Sequence, residues 1–473
     1  MKLDVTKDLY FQKIQILIIE LLNTIPKTRS IPFGILLARG LKRMASKPEI
    51  LIVGGGVAGL SLATRLGKTM GRHGRARITL IDKSFSHVWK PMLHCFASGT
   101  VSNENDRVNF ISQASGHHFE FWPGEVVSID REKREVVLSP LHASDGSVVL
   151  ESRSIRYDTI VIAIGSCAND FGTPGVKDHC LSIDNLVEAN VFNEKFRMEL
   201  LRAFANNSEL DIAIVGGGAT GTQLAAELHK ALEIVGPYNL HAFGGPPPKL
   251  RVTLLQSGAR ILPAFPESVS EAAQKELESI GVTVRTSARV AAADATGFTL
   301  KDGSHVTAKL RVWAAGVKAP QVTTTYGGLP LNRTGQILTH PNLCSIDDDR
   351  IFAVGDCSFI SDDPLPATAQ VARQQARHLA RHLPAFIENG QPVPGCVFHN
   401  KGAIVALGKY NGWAALPGGT VWGGGISHGL SARLGHAMLY RQHQVELFGL
   451  YRGLISCYSN WVETFVRPSI RLD

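Results

Sequence analysis

Two unbroken apolar runs, Ile50–Val53 and Ile212–Val215, each end on a cluster of glycines and resume as small and apolar residues with scattered polar ones. Consecutive Ile, Val and Leu with no polar position between them predict a strand buried on both faces, the kind that parallel sheets use. The continuations, Leu60-Ser-Leu-Ala63 and Gln223-Leu-Ala-Ala-Glu-Leu228, read as helix starts. Further runs, Ile78–Ile81, Thr159–Ile164, Val252–Leu255 and Ile351–Val354, apolar but for a single threonine in each of the first three, predict further buried strands. The pattern is thus α/β, with two strand–turn–helix units of one design. Near the end of the chain the period changes. Leu447, Leu450, Tyr451, Leu454, Tyr458, Trp461, Val462 and Phe465 recur at steps of three and four and describe one continuous helical face. Arg452, Ser456, Ser459, Asn460 and Glu463 occupy the other side, with Arg433, Arg441, Arg467 and Arg471 flanking. A helix of this kind, with Tyr and Trp on its boundary, lies in a bilayer interface. A core helix or a dimer face is the other reading of the same stripe.

The glycines give the repeated units a chemistry. Gly54, Gly56 and Gly59, and again Gly216, Gly218 and Gly221, fit G-x-G-x-x-G between a strand and a helix. One glycine allows the turn, one lets a pyrophosphate approach the backbone, and one lets helix and strand pack closely. The diphosphate then rests on free N–H groups at the positive end of the helix. One copy would be weak evidence; two copies in the same context predict two dinucleotides and electron transfer between them. Asp82, at the end of the strand that follows the first helix, is placed to accept hydrogen bonds from an adenosine ribose. It stands 28 residues beyond Gly54 because Gly67–Arg77 lengthens the helix and its exit.

Composition adds limits. The chain of 473 residues carries a net charge of +8, and residues 1–47 hold nine basic residues against three acidic ones. So uneven a distribution argues against nucleic acid and for an anionic membrane surface. Ile14–Leu22 is too short to span a bilayer. The stretch 1–46 is either a surface-lying amphipathic segment or material ahead of a start at Met44. Seven cysteines without a C-x-x-C pair indicate a reducing compartment, and no spacing of Cys and His suggests a metal site.

From Phe85 the sequence becomes specific. Phe85-Ser-His-Val-Trp-Lys-Pro-Met-Leu-His94 resembles the H-x-W-K-P-x-L-H stretch of type II NADH:quinone oxidoreductases. The resemblance continues through Ile160–Ser166, Ile261–Pro266, Val312–Pro320 and Ile351–Asp356, and covers roughly 48–473. It implies FAD on the first glycine cluster and NADH on the second, with the second Rossmann unit inserted in the first. The boundaries expected are a basic extension at 1–47, a flavin domain at 48–166 and 305–395, a nucleotide domain at 167–304, and a C-terminal amphipathic helical membrane-anchoring region at 396–473. Lys90, Gly165, Asp356 and Gly316 join the cofactor-binding residues, Asp356 as a partner of the flavin's ribityl chain. Ala369, Gln370, Ala372 and Gln374 match the family's A-Q-x-A-x-Q helix start, which puts Gln370 and Gln374 near a quinone carbonyl. Lys401 falls where some members carry a lysine near the quinone; a solvated surface lysine is the alternative. The implied enzyme is a peripheral protein on the cytoplasmic face of the inner membrane, passing two electrons from NADH through FAD to a quinone without pumping protons. A homodimer is left open.

Three positions depart from the family. Gln223 stands where a glutamate is usual after the last glycine of the second cluster, and keeps the hydrogen bonds without titrating. Gln256 replaces the acid that holds the NADH ribose, so discrimination against NADPH is expected to weaken, with Ser257 and Arg260 as nearby donors. Cys95 replaces a glutamate. Two rival readings follow. Sulfide:quinone oxidoreductase, on the same plan, would need paired cysteines beside the flavin, with Cys180 and Cys396 as candidates. A slow flavin-based redox sensor would make use of Gln223 and Gln256.

Overall fold

The structure, a computed structural model, describes residues 47–101, 107–242, 248–418 and 420–466; the basic stretch 1–46, with Ile14–Leu22, lies outside them. In chain order the elements that build the site are β1 (Glu49–Val53), α1 (Val57–Leu66), β2 (Arg77–Asp82), β3 (Glu120–Pro123) and β4 (Thr159–Ile162). Then come α2 (Leu186–Asn206), β5 (Leu210–Val215), α3 (Ala219–Ala242), β6 (Leu250–Leu255), β7 (Val282–Arg285) and β8 (Leu310–Trp313). The chain closes with β9 (Asp348–Ala353), α4 (Ala369–Asn389), α5 (Gly425–Phe448) and α6 (Leu450–Val466).

Two parallel sheets result. In the first, β9, β4, β1, β2 and β3 lie side by side in that order, all parallel, and three short strands extend the β9 edge. In the second the order is β7, β6, β5, β8, again parallel throughout. Ile50, Leu51 and Ile52, and likewise Ile160, Val161 and Ile162, have no exposed surface, as strands covered on both faces must. The chain therefore leaves the first sheet at β4, builds the second, and rejoins the first through the short strands Ile337–Thr339 and Cys344–Ser345 and then β9. The second sheet includes β8, whose Leu310 pairs with Ile212. Two strands after residue 304 still pair with the second unit, His305–Thr307 with Gly297–Leu300 and β8, at the edge of the second sheet, with β5, so the return to the first sheet starts later than that position.

The extra residues after α1 form a π-turn at Gly67–Gly71, which accounts for the long spacing to Asp82. Helix α4 buries Val371, Ala372, Gln375, Ala376, Leu379 and Leu383 along one face and packs along α1. Thr368 caps its start by accepting from the Val371 N–H at 3.3 Å, and Gly390 ends it at φ 68°.

The C-terminal stripe is broken where the periodicity runs straight through. Gly449, at φ 84° and ψ 167°, separates α5 from α6. Leu447 ends up fully buried against the first domain, whereas Leu450, Tyr451, Leu454, Ile455, Tyr458 and Val462 stand exposed on α6. A steps-of-three count cannot see a glycine that turns the chain, so the single face becomes two faces with different partners. The side chains of Trp461, Phe465, Asn460, Glu463 and Arg433, and residues Arg467 and Arg471, lie outside the described set. Among the described residues no helix is long and apolar enough to cross a membrane.

Helix α5 is fastened to the body by two buried histidines. His87 Nε2 lies 2.9 Å from His443 Nε2, and the Trp89 ring packs against His443 at 4.4 Å between ring centres, tilted by 36°. The single shared hydrogen bond requires at least one neutral acceptor ring. Burial pushes His87 down to about 4, a hydrogen bond with the Gly55 backbone partly offsetting it. Burial, followed by the neighbouring His87 ring and the Arg373 charge, drives His443 well below its ordinary value, Glu446 opposing. A depressed histidine contributes stability that is complete above the unfolded value of 6.5 and lost as the pH falls through the folded one. Acidification from 6.5 to about 4 should therefore remove about 3 kcal/mol through His87 alone. Thermal denaturation across that window should show a steep fall in Tm, and a H87Q variant a shallower one; parallel curves would contradict this account.

Candidate functional site

The two glycine clusters fold into near-identical cradles. Gly54 takes φ 102° and Gly216 φ 116°, and a Cβ on either would meet the carbonyl oxygen of Ala163 or Ala314 at 2.5 Å. A Cβ on Gly59 would lie 1.8 Å from the Gly54 oxygen, and one on Gly221 2.0 Å from the Gly216 oxygen. These contacts are the reason for glycine: strand and helix touch backbone to backbone. The middle position behaves differently. A Cβ on Gly56 would have its nearest neighbour at 4.0 Å, and one on Gly218 would meet nothing within 4 Å. Here the absent side chain leaves open space at the helix N-terminus, the approach a diphosphate needs. The same hydrogen bonds recur, Gly54 N–H to the Ile81 oxygen and Gly216 N–H to the Leu255 oxygen, both at 2.8 Å. Both cradles fit a dinucleotide.

The residue ending the second strand of each unit also plays one role twice. Asp82 Oδ2 accepts from the Gly55 N–H at 2.6 Å, and Gln256 Oε1 accepts from the Gly217 N–H at 3.0 Å. Burial raises the Asp82 carboxyl above its ordinary value, against the opposing pull of the Gly55 and Ser84 N–H groups. Gln256 thus reproduces the geometry of an acid without its charge. Arg260, expected as a free donor beside it, is committed elsewhere. Its guanidinium donates to the Phe265 oxygen at 2.7 Å, to Ser270 Oγ at 2.7 Å and to the Pro263 oxygen at 3.1 Å, so it braces the 262–265 turn.

A polar line joins segments far apart in sequence. Lys90 Nζ donates to the Ser166 oxygen at 3.0 Å, and Ser166 Oγ donates to Asp356 Oδ2 at 2.7 Å. Gly165 and Gly316, at φ 70° and 66°, turn the chain at the two crossings between sheets, where Cys167–Ala168 pairs with Val317–Lys318. Gly355 comes next to Ala372 of α4: a Cβ on this glycine would lie 3.3 Å from the alanine methyl, and its N–H donates to Gln375 Oε1 at 2.6 Å. Small residues at the start of α4 are what permit that approach.

Gln370 and Gln374 lie one turn apart on α4, and both are engaged by main chain. Gln370 donates to the Gly402 oxygen at 3.0 Å and accepts from the Lys401 N–H at 2.6 Å. Gln374 donates to the His399 oxygen at 2.8 Å and accepts from the His399 N–H at 3.0 Å. The two amides clamp the 399–402 segment as a neighbouring strand would. Lys401 itself is exposed. Gln223 is buried near the start of α3, and one turn further on the buried Glu227 accepts from Thr100 Oγ1 at 2.5 Å and pairs with Lys230 at 3.1 Å.

Neither Ser166 nor Glu227 is singled out by the sequence motifs as a site residue. Ser166 closes the Ile160–Ser166 motif, and that position is the signal by which it could be found. Glu227 gives no signal beyond standing one turn after Gln223. Cys180 and Cys396 pack against different hydrophobic clusters, and burial pushes each thiol up to about 11. Neither is a thiolate nucleophile in that setting. A cavity of about 520 Å³ that includes Cys180 lies between α2 and the 178–181 and 309–311 segments, away from both cradles.

The model of the pyridine nucleotide-disulphide oxidoreductase family matches residues 48–376. The type II NADH:quinone oxidoreductase of Haemophilus influenzae is 36% identical over 446 residues, covering 90% of this chain and 99% of that protein. Among solved structures, NDH2 from Plasmodium falciparum in complex with NADH superposes with a TM-score of 0.76 at 18% identity, over 90% of this chain and 100% of that one. The sulfide:quinone oxidoreductase of Aquifex aeolicus gives 0.64 at 19%, over 88% and 95%, a likeness of fold. This chain belongs to the pyridine nucleotide-disulphide oxidoreductases and, within them, to the type II NADH:quinone oxidoreductases.

Because Gln256 holds Gly217 without a charge, a Q256E variant should restore repulsion towards a 2′-phosphate. The ratio of kcat/KM for NADH to that for NADPH should rise by about tenfold or more. Steady-state rates with both nucleotides measure it, and an unchanged ratio would remove Gln256 from nucleotide selection.

Proposed function

We propose that this member of the type II NADH:quinone oxidoreductases takes two electrons from NADH through FAD to a membrane quinone, with its two cradles holding the two dinucleotides. The observation that carries the reading is the duplicated turn, open at Gly56 and Gly218 and closed by backbone contact at Gly54, Gly59, Gly216 and Gly221. FAD, when bound, supplies the chemistry of accepting a hydride equivalent and passing two electrons on. The chain supplies position. Gly54, Gly56 and Gly59 take the FAD diphosphate at the start of α1, with Asp82 towards its ribose. Lys90, Ser166 and Asp356 form the polar wall beside the ribityl chain. Gly216, Gly218 and Gly221 take the NADH diphosphate, Gln256 faces its ribose, Gln223 helps to orient the nicotinamide, and Gly316 turns the chain back towards the flavin.

The acceptor side is assigned to the start of α4 and the segment it clamps. Gln370 and Gln374 fix 399–402 and each keeps one amide N–H for a quinone carbonyl, since an amide carries two donors and one is spent on main chain. Lys401 gives that side an exposed cation able to deliver a proton to the reduced quinone. The domain limits read from the sequence, with the second unit ending after β8, complete this assignment.

The exposed stripe of α6 supports attachment to an anionic membrane surface, where a lipid-soluble acceptor is delivered. Leu450, Tyr451, Leu454, Ile455, Tyr458 and Val462 together are unusual on a solvent-facing helix, and a helix of this kind lies in the interface. The site of action is then a membrane surface, the cytoplasmic face of the inner membrane, with the protein held peripherally.

Purified protein carrying FAD should lose its visible flavin absorbance on anaerobic addition of NADH and regain it on addition of a soluble quinone. Flavin that stays oxidised under NADH, or stays reduced under quinone, would refute the assignment. A L454E variant should keep NADH oxidation with the soluble quinone and lose sedimentation with anionic vesicles. Unchanged vesicle binding accompanied by a fall in molecular mass would make the stripe a dimer face instead.

A further inference from the structure

Glu446 stands three residues before the break at Gly449, near the end of α5, with its side chain 5% exposed. Its carboxylate collects two other helices. From α1, Arg65 donates through Nη2 at 2.6 Å and Nε at 3.2 Å, and Ser61 Oγ donates at 3.2 Å. From α4, Arg377 is bidentate, Nε to Oε1 and Nη2 to Oε2, each at 3.0 Å, and Arg373 Nε donates to Oε2. Arg373 also holds the Gln442 side chain at 3.1 Å. Hydrogen bonds from Arg377 and Arg65, with the Arg373 charge, outweigh burial and hold the Glu446 carboxyl at about 2.

Three guanidinium groups around one carboxylate leave two positive charges in excess, and Arg373 is only 13% exposed. Without the carboxylate these cations repel one another, and Arg373 is left as an uncompensated buried charge. Relief would come from turning or sliding α4. That motion would not stay local. Arg373 and Arg377 form one i, i+4 row on α4, and Gln370 and Gln374 form another about 60° around the axis. Rotation that carries the arginines apart carries the two amides off the 399–402 main chain.

We infer that Glu446 is a positioning residue for quinone reduction: its carboxylate fixes the rotation of α4 at which Gln370 and Gln374 clamp the 399–402 segment. This rests on the assignment of that segment to the quinone side. The nucleotide cradle on α3 and β5 makes none of these contacts, and although Gln375 of α4 holds Gly355 on the flavin side, that side chain is buried in the helix's packed face, so at equal flavin content the two half-reactions should respond differently. The three arginines reach Glu446 from the helix that leaves the first cradle and the helix that opens the acceptor side. One side chain therefore joins the anchor region to the acceptor side.

The experiment uses the full flavin-loaded enzyme with a soluble quinone. In E446Q the rate of anaerobic flavin reduction by NADH, followed by stopped flow, should stay within about twofold of the parent. KM for the quinone should rise about tenfold, in line with loss of charge-assisted hydrogen bonds. E446D, which keeps the charge, should recover part of that loss. R377K, on a partly exposed residue, gives a milder variant if E446Q does not fold; its quinone KM should rise about threefold with flavin reduction unchanged. Equal losses in both half-reactions, or an unchanged quinone KM in E446Q or R377K, would overturn the inference. A parent enzyme whose reduced flavin is reoxidised by ferricyanide and not by quinone would instead overturn the quinone assignment itself.

Discussion

Everything in this molecule hangs on a steric exclusion at two turns. The backbone of Gly59 passes so close to Gly54, and that of Gly221 to Gly216, that a single methyl group would overlap a carbonyl oxygen. Each closure brings the first N–H groups of α1 or α3 to the carboxyl end of a parallel sheet. There the unpaired donors of the helix terminus and the helix dipole act together on an anion. The strands behind the turns must then be buried on both faces, which is why β1, β4 and β5 carry almost no polar residues. The binding site and the core are thus two consequences of one backbone geometry.

Away from the turns the chain uses polar side chains for position. The Lys90–Ser166–Asp356 line gathers three segments separated by 76 and 190 positions. The glutamines of α4 act as side-chain substitutes for a strand, holding 399–402 and Gly355 by their main-chain groups. Amides suit that task because each offers a donor and an acceptor and carries no charge to desolvate. The buried histidine pair and the Glu446 cluster do the corresponding work for α5, one through a neutral hydrogen bond and the other through compensated charge. Both are sensitive to protonation, in different pH ranges.

The C-terminal region shows how a local break decides a long-range partition. Leu447 belongs to the core of the first domain and Leu450 to the surface, three residues apart, because Gly449 leaves the helical region of backbone space. The apolar residues before it contribute to folding of the body. Those after it, Leu450, Tyr451, Leu454, Ile455, Tyr458 and Val462, are left exposed by the chain itself.

By itself the sequence determined the local part of the answer. The glycine spacings, the doubly buried strands, the Asp82 and Gln256 strand ends and the HxWKP motif from His87 to Pro91 all encode their meaning within a few residues, where backbone sterics and helix dipoles operate. From these the α/β class, the two cradles and the family follow. The role of a residue whose partners are distant was decided only by the tertiary structure. Nothing near Glu446 in sequence announces Arg65, 381 positions away, and nothing near His443 announces His87. Arg260 has the sequence context of a free cation, and only the folded turn shows what it braces. The strand at Leu310–Trp313 joins the second sheet because its register with β5 is a pairing, not a composition. Short-range sterics are written residue by residue, whereas charge compensation and strand pairing exist only once separate segments have been brought to the same place.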